Sequence, residues 1–289
     1  MSCSATLLNN TTEPFAKSPY RIALVIIYTV VLVGGSVGLG LMFGVLKSNM
    51  HSWTTIAFVN LIIAHFIFLV SVPFRIHYYF KNCWNLSELV CKLVSAMIHL
   101  HMHVVFIIYV IIFIIAFLHY YKKAEQIEFH RNLHAVAVSI VIWLVLLIVA
   151  PIILSNYGNN TITPNVCFKF GNETGNVDVY WSNIVLSSIT VLVSFIVSCV
   201  LAIIQYSMIK KHGPALFGQQ EFWAQMKNVS LALIIFICLV PYHLFRMYYL
   251  KNPSKLEQDN EVFLAITTFT CFDMLLVFAG RGICQRCGF

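Results

Sequence analysis

The stretch NLIIAHFIFLVSVPF, residues 60–74, belongs to a run from Ser48 to Phe74 that contains no Asp, Glu, Lys or Arg. A single α-helix needs about 20 apolar residues to cross the hydrocarbon core of a bilayer, so this run is long enough. Its apolar residues are continuous, whereas a strand of a membrane barrel would alternate apolar and polar residues. The stretch therefore predicts a transmembrane helix.

Six other stretches of the chain share this lack of charge, and we number the seven as span one to span seven in chain order. The other six are Ile22–Leu46, Leu93–Tyr121, Asn132–Phe168, Val179–Ile209, Asn228–Phe245 and Val262–Gly280, the last interrupted only by Asp273. Asn and Gly residues at 156–160 end span four near Ser155. The sequence predicts an all-α membrane protein, a seven-helix bundle over residues 20–280, with a polar segment at 1–19 and a short tail at 281–289.

The composition fits this architecture and excludes some partners. The chain is 60% hydrophobic and 10% charged, whereas a soluble domain has about 25% charged residues. The formal net charge of +7 is spread over loops. It forms no basic block, so we expect contact with the lipid bilayer and none with nucleic acid. Residues 1–19 lack the apolar core of a cleaved signal peptide, so span one is expected to direct insertion.

Five potential N-glycosylation sequences fall on one side of the seven-span arrangement. They begin at Asn9, Asn10, Asn85, Asn159 and Asn172. Glycans are added on the lumenal side of the membrane, so we expect a multi-pass plasma-membrane glycoprotein with its N-terminus outside. Lys and Arg do not decide the orientation, because nine fall on each side.

The cysteines suggest a disulfide on the same side. Cys91 lies at the start of span three and Cys167 in the loop after span four, and a bridge between them would hold that loop over the bundle. Cys3 and Cys83 also lie outside, so the sequence leaves the pairing open. Cys284 and Cys287 follow span seven and could be either palmitoylated or free.

Several motifs resemble those of rhodopsin-like (class A) G-protein-coupled receptors, over nearly the whole chain. In the stretch at 60–74 the matching residues are Asn60, Leu61, Ala64, Pro73 and Phe74. Trp143 is placed like the tryptophan of the family's fourth span, and CLVPYHLFR, residues 238–246, contains Cys238, Pro241 and Tyr242 of its sixth-span motif. His243 and Arg246 extend that motif in the manner of the purinergic nucleotide receptors and their lipid-sensing relatives.

The chain departs from the family at its switch positions. The positions concerned are Ser36 for the first-span asparagine, His65 for the sodium-binding aspartate, Ala116 for the third-span switch arginine, Leu239 for the sixth-span tryptophan, and Met274 and Val277 for the proline and tyrosine that follow Asp273. Pro241 retains a hinge in span six. The resemblance implies a heterotrimeric G protein as partner, but Ala116 is expected to weaken that contact. Either the silent state is poorly held, which gives basal signalling, or the chain is a non-signalling decoy or dimerisation partner.

Two arginines and a lysine near the outer ends of the spans suggest an anionic extracellular ligand, which is a nucleotide, a carboxylate or an acidic lipid. Arg75 and Arg246 lie at the ends of spans two and six, and Lys92 at the start of span three. A charge within the membrane usually faces a cavity or a partner, and His243 lies one helical turn from Arg246. The alternative is that both arginines extend to lipid headgroups. For most of the nearby tyrosines an interfacial belt is favoured; these are Tyr78, Tyr79, Tyr248 and Tyr249.

Three histidines lie close together in span three. His99 and His103 share a helical face, but a zinc site needs three or four ligands, so we expect them to line the ligand pocket and predict no metal. Family packing places His101 near His65, where we expect no sodium and a hydrogen bond to Asp273 or Asn60. Proton sensing by these histidines is the alternative. We predict neither a cofactor nor enzyme activity, because the spacing of these groups does not single out a hydrolase, and no internal repeat points to a transporter.

Overall fold

The computed structural model describes residues 19–46, 53–121, 139, 143, 166–168, 177–213, 220–253 and 255–276. Within these ranges the chain forms helices and no strand. Span four lies outside them apart from Ser139 and Trp143. Also outside are residues on which predictions rest: Cys3, Asn9, Asn10, Asn159, Asn172, Val277, Cys284 and Cys287.

Spans one, two, three and five each form one long helix. Their bounds are Pro19–Leu46, Trp53–Lys81, Glu88–Tyr121 and Val177–His212. Together with span six these are five described helices that are long and apolar enough to cross a membrane. Because a helix satisfies its own backbone hydrogen bonds, it is stable where water is absent. The described residues thus form a multi-pass bundle of the predicted kind.

Span six is interrupted in its middle. It runs as an α-helix over Gln220–Ile234, a π-helical turn over Ile235–Leu239 and an α-helix over Val240–Tyr249. Pro241 is the second residue after the π turn, and a proline has no N–H to donate to the preceding turn. Single π turns are often found at functional positions of helices. The interruption therefore divides span six at the place where the sequence predicts a hinge.

Span seven is also interrupted, although it has no proline there. An α-helix over Glu257–Thr267 is followed by a 3₁₀ turn over Thr268–Phe272 and by a helical segment at 273–276. The hydroxyls of Thr267, Thr268 and Thr270 donate to backbone carbonyls three residues earlier, at 2.6, 2.5 and 2.9 Å. Such side-chain bonds compete with the helical pattern and bend helices.

Glycines allow span one to pack closely on span seven. A methyl group at Gly34 would overlap the ring of Phe272, and one at Gly38 would lie 3.3 Å from Cβ of Met274. A methyl group at Gly40 or Gly44 would meet no described atom within 4 Å. Small residues are typical of close helix contacts within membranes. Gly34 and Gly38 therefore set the distance between spans one and seven.

Replacing Gly34 by alanine is expected to destabilise the bundle by about 1–3 kcal/mol, because the added methyl group overfills a packed contact. The melting temperature of the detergent-purified chain, measured with a thiol-independent dye, would report the loss. Gly40→Ala in the same helix is the matched control and should leave the melting temperature unchanged or slightly higher. Equal effects of the two substitutions would contradict the close contact.

A polar contact joins span two to span four. Asn60 Oδ1 accepts hydrogen bonds from Ser139 Oγ at 2.6 Å and from Trp143 Nε1 at 2.8 Å. Asn60 Nδ2 donates to the Ile56 carbonyl at 2.9 Å. Asn60 is therefore engaged with span four and is not the partner of the buried histidines.

Candidate ligand-binding site

A disulfide between Cys91 and Cys167 ties the segment at 166–168 to the start of span three, with 5.9 Å between the two Cα atoms. We call the end of the bundle at which it lies the disulfide end. Cys83, in the turn between spans two and three, is disulfide-bonded as well. Two covalent links therefore restrain the connections at this end.

Phe168 directs its side chain from the bridged segment into an aromatic cluster. Its φ of 64° is uncommon for a residue other than glycine. Its ring centroid lies 5.0 Å from that of Tyr78, 5.8 Å from Tyr79 and 5.8 Å from Trp84. The disulfide and this cluster together hold the segment against spans two and three.

Beside Phe168 a cleft opens between spans three, six and seven. Its enclosed space is about 10 Å³, which is room for about one water molecule. The lining residues are His99, Phe168, Arg246, Tyr249, Glu257, Asn260 and Glu261. The cleft is therefore narrow, and its walls must part to admit a ligand larger than water. The predicted residues Arg246 and His99 both lie on its wall.

Arg246 is held at the cleft by two neighbouring spans and is 7% exposed. Its Nε donates to Asn183 Oδ1 of span five at 3.3 Å and its NH1 to Asn260 Oδ1 of span seven at 3.1 Å. Its guanidinium also lies 5.0 Å from the ring centroid of Tyr249. These contacts fix the orientation of the guanidinium.

Arg75 is buried beneath the cleft and forms an ion pair. Its NH1 lies 3.6 Å from Glu261 Oε2, and Tyr79 donates a hydrogen bond to the same oxygen at 2.7 Å. The guanidinium is 4.4 Å from the ring centroid of Phe168 and is 1% exposed. Glu261 thus balances the charge of Arg75, which does not line the cleft itself.

The other predicted ligand residues lie away from the cleft wall. His243 shares a hydrogen bond of 3.2 Å between its Nδ1 and Ser187 Oγ. The ring of His103 lies 6.0 Å from that of His243, so both belong to the contact between spans three, five and six. Lys92 pairs with Glu88 on the surface of span three at 2.9 Å.

Sequence reasoning missed the acidic side of the cleft. Glu257, Asn260 and Glu261 lie just before the charge-free part of span seven, and their spacing of three and four residues puts them on one helical face. This spacing in the sequence could have indicated that the three polar side chains share one face of span seven. The belt interpretation is wrong for three of the tyrosines, since Tyr78, Tyr79 and Tyr249 are buried and only Tyr248 is exposed.

Towards the middle of the bundle, Asp273 is the centre of a second polar group. His65 Nε2 lies 3.2 and 3.1 Å from the two carboxylate oxygens, and Tyr109 donates to Oδ2 at 2.5 Å. His65 Nδ1 lies 2.8 Å from His101 Nε2. His65, at the position where the family resemblance implies a sodium-binding aspartate, therefore adds imidazole nitrogens to this group in place of carboxylate oxygens, which hard cations prefer.

The remaining switch positions are placed as follows. Leu239 is fully buried at the end of the π turn of span six. Ala116 is half-buried near the end of the span-three helix, which ends at Tyr121. Alanine has no polar side-chain atom, so this position supplies neither an ionic contact within the bundle nor one to a partner.

The bundle and its cleft define a helical membrane receptor, and comparison with known proteins gives its family. Residues 40–275 match the 7 transmembrane receptor (rhodopsin family) profile, and the chain belongs to this family. Its members are receptors and not enzymes, which agrees with the prediction of no enzyme activity.

Individual relatives support the same assignment. The human protein Probable G-protein coupled receptor 141 is 38% identical over 95% of this chain and 92% of its own length. Probable G-protein coupled receptor 34 of Pan troglodytes is 23% identical over 88% of this chain and 70% of its own length. The 2-oxoglutarate receptor 1 of Mus musculus is 20% identical over 79% of this chain and 69% of its own length.

Proposed function

We propose that this receptor carries the signal of a small anionic ligand from the disulfide end, facing the cell exterior, to a heterotrimeric G protein at the opposite end. The orientation is supported by the exposed Asn85, which opens a glycosylation sequence at the disulfide end. It is also supported by the Cys91–Cys167 bridge, because disulfides persist in oxidising compartments. Movement of the inner half of span six about Pro241 would transmit the signal.

The proposal rests chiefly on Arg246. A guanidinium buried within a bundle is costly unless it faces a partner or a cavity, and this one lies on the wall of the cleft. The amide oxygens of Asn183 and Asn260 accept hydrogen bonds from the guanidinium and orient it. An anionic ligand group that entered the cleft would gain a charge-assisted hydrogen bond to it.

We take small carboxylates as the first ligand class to test. The enclosed space of the cleft is about 10 Å³, room for about one water molecule, so a small acid requires less movement of the walls than a nucleotide or a lipid. Glu257 also lines the cleft, so a cationic group on a ligand could approach this carboxylate. The name of the 2-oxoglutarate receptor, a distant relative, states a small dicarboxylate as its ligand. Dicarboxylates and amino acids are therefore the first compounds to test.

Replacing Arg246 by glutamine should weaken the response to an active carboxylate by about 10–100-fold, the effect of losing a hydrogen bond to a charged group. Dose–response curves of a second-messenger assay, corrected for surface delivery, would measure the shift. Lys92→Gln is the matched control, since it removes a cation from the same end outside the cleft. The anionic-ligand proposal fails if no carboxylate activates the delivered receptor, or if both variants respond alike.

Coupling to a G protein is a separate question that Ala116 allows to be tested. Arginine at this position should raise basal second-messenger output several-fold, because it restores the cationic contact that related receptors offer to a G protein. The assay compares wild type, Ala116→Arg and Ala116→Gln at equal surface delivery. The glutamine variant controls for side-chain length without the charge.

The outcome distinguishes a signalling receptor from a non-signalling decoy or dimerisation partner. Output of the wild type above that of empty vector would show that Ala116 is compatible with signalling. Output from Ala116→Arg alone would favour a decoy or dimerisation partner that has the receptor fold and has lost coupling. If the two behave alike and both respond to a ligand, the missing arginine has no bearing on coupling.

A further inference from the structure

Three potential metal ligands from three different spans meet in the centre of the bundle. His65 Nδ1 of span two lies 2.8 Å from His101 Nε2 of span three. Cys271 Sγ, in the 3₁₀ turn of span seven, lies 3.5 Å from the first nitrogen and 3.8 Å from the second. Each residue is at most 3% exposed, so the three donor atoms face one another away from lipid and solvent.

The spacing of the donor atoms is close to that of a tetrahedral zinc site. Zinc binds nitrogen at about 2.0–2.1 Å and thiolate at about 2.3 Å. With tetrahedral angles these bond lengths separate two nitrogens by about 3.3 Å and a nitrogen from a sulfur by about 3.6 Å. The two nitrogen–sulfur distances already fit, and the nitrogens need to separate by about 0.5 Å.

Asp273 gives His65 the orientation that a metal ligand requires. The carboxylate accepts the N–H of His65 Nε2. In the neutral imidazole this leaves the lone pair on Nδ1, the atom that faces His101 and Cys271. Carboxylate–histidine–zinc arrangements of this kind are usual in metal sites. Tyr109 donates to the same carboxylate, and the ring of His101 stacks on Phe68 with centroids 4.3 Å apart. The side chains of His65 and His101 are thus held by these neighbours, while Nδ1 of His101 has no hydrogen-bond partner among the described residues.

The charges also balance around a divalent ion. A cysteine that binds zinc is a thiolate, with a charge of −1, and the Asp273 carboxylate adds another. Zn²⁺ would neutralise both within the apolar bundle, where an unbalanced charge is costly. Imidazole and thiolate together favour zinc over magnesium or calcium, which prefer oxygen ligands.

We propose that His65, His101 and Cys271 bind one zinc ion, with the fourth coordination position open to water or a small ligand. The ion would join spans two, three and seven next to the interrupted segment of span seven, at the place where other receptors of the family bind sodium. The sequence predicts no metal because His99 and His103 supply only two ligands; Cys271, 206 residues from His65, was not among the candidates. Only the folded bundle supplies this third ligand.

The test is the metal content of the full-length chain, purified with a tag that contains neither histidine nor cysteine. Cys284 and Cys287 are replaced by serine throughout, because two cysteines at this spacing could bind zinc themselves. After equilibration with zinc and removal of the excess, we expect about one zinc ion per chain. Cys271→Ala and His101→Ala should reduce this to background. Cys238→Ala is the matched control, since Cys238 is a buried free cysteine of span six, and should retain the ion.

Cobalt provides a readout that does not depend on a variant folding. Co²⁺ bound in place of zinc by the wild-type site should give a thiolate-to-cobalt charge-transfer band, and zinc should displace it. A chelator should lower the melting temperature of the wild type and leave that of Cys271→Ala unchanged. Absence of the band, or equal zinc content in wild type and Cys271→Ala, would overturn the proposal and leave a hydrogen-bonded histidine pair without a metal.

Discussion

Glu261→Ala should destabilise the receptor by about 3–5 kcal/mol, the usual cost of removing one partner of a buried ion pair. Glu261 lies 3.6 Å from Arg75 and accepts a hydrogen bond from Tyr79. The substitution would leave the guanidinium of Arg75 with hydrogen bonds to Tyr28 Oη and to the Val94 carbonyl, but without a negative charge. We expect a strong loss of surface delivery and a melting temperature lower by about 10 °C.

A double-mutant cycle would separate the ion pair from the rest of the cleft. Arg75→Met in combination with Glu261→Met should recover much of the stability that each single substitution loses, because no unpaired charge remains. Asp259→Ala removes an exposed acid from the first turn of the same helix, outside the cleft lining, and should change the melting temperature little. Additive effects of the two single substitutions would show that Arg75 and Glu261 do not interact.

Loss of the Cys91–Cys167 bridge is expected to have the second-largest effect on the fold. The bridge closes a loop of 76 residues, and chain-entropy arguments assign about 4 kcal/mol to a loop of that length. It also holds Phe168 against Tyr78, Tyr79 and Arg75. Cys167→Ser should therefore lower the melting temperature and deform the cleft, with loss of any response that depends on Arg246.

Thermal melting, surface delivery and ligand response together would measure this effect. Cys199→Ser is the control, because Cys199 is a free cysteine on the exposed face of span five. Its replacement should leave all three quantities unchanged. The double variant Cys91→Ser/Cys167→Ser should resemble either single variant, since each already abolishes the bridge. Normal melting of the single variants would contradict a structural role for the disulfide.

The number of spans and their class could be predicted from sequence alone, and the family match confirms both. The reason is that a bilayer imposes one simple requirement, a run of about 20 uncharged residues, and this requirement is local in the sequence. The Cys91–Cys167 bridge was anticipated as well, although Cys3 and Cys83 left the pairing open, and it forms in the structure. Pro241 predicted the interruption of span six. The interruption of span seven was not predicted, because it involves hydrogen bonds from threonine hydroxyls to backbone carbonyls.

The partners of the buried polar residues were decided by tertiary structure. Arg75 and Arg246 look alike in sequence, each near the end of a span, yet Arg75 pairs with Glu261 and Arg246 lies on the cleft. From the sequence, either Asp273 or Asn60 could be the partner of the histidine pair. In the bundle Asp273 lies beside His65, and Asn60 accepts a hydrogen bond from span four. Hydropathy shows that a residue is in the membrane, but not which helical face meets which neighbour. Contacts between residues 182 to 208 positions apart depend on how the helices pack.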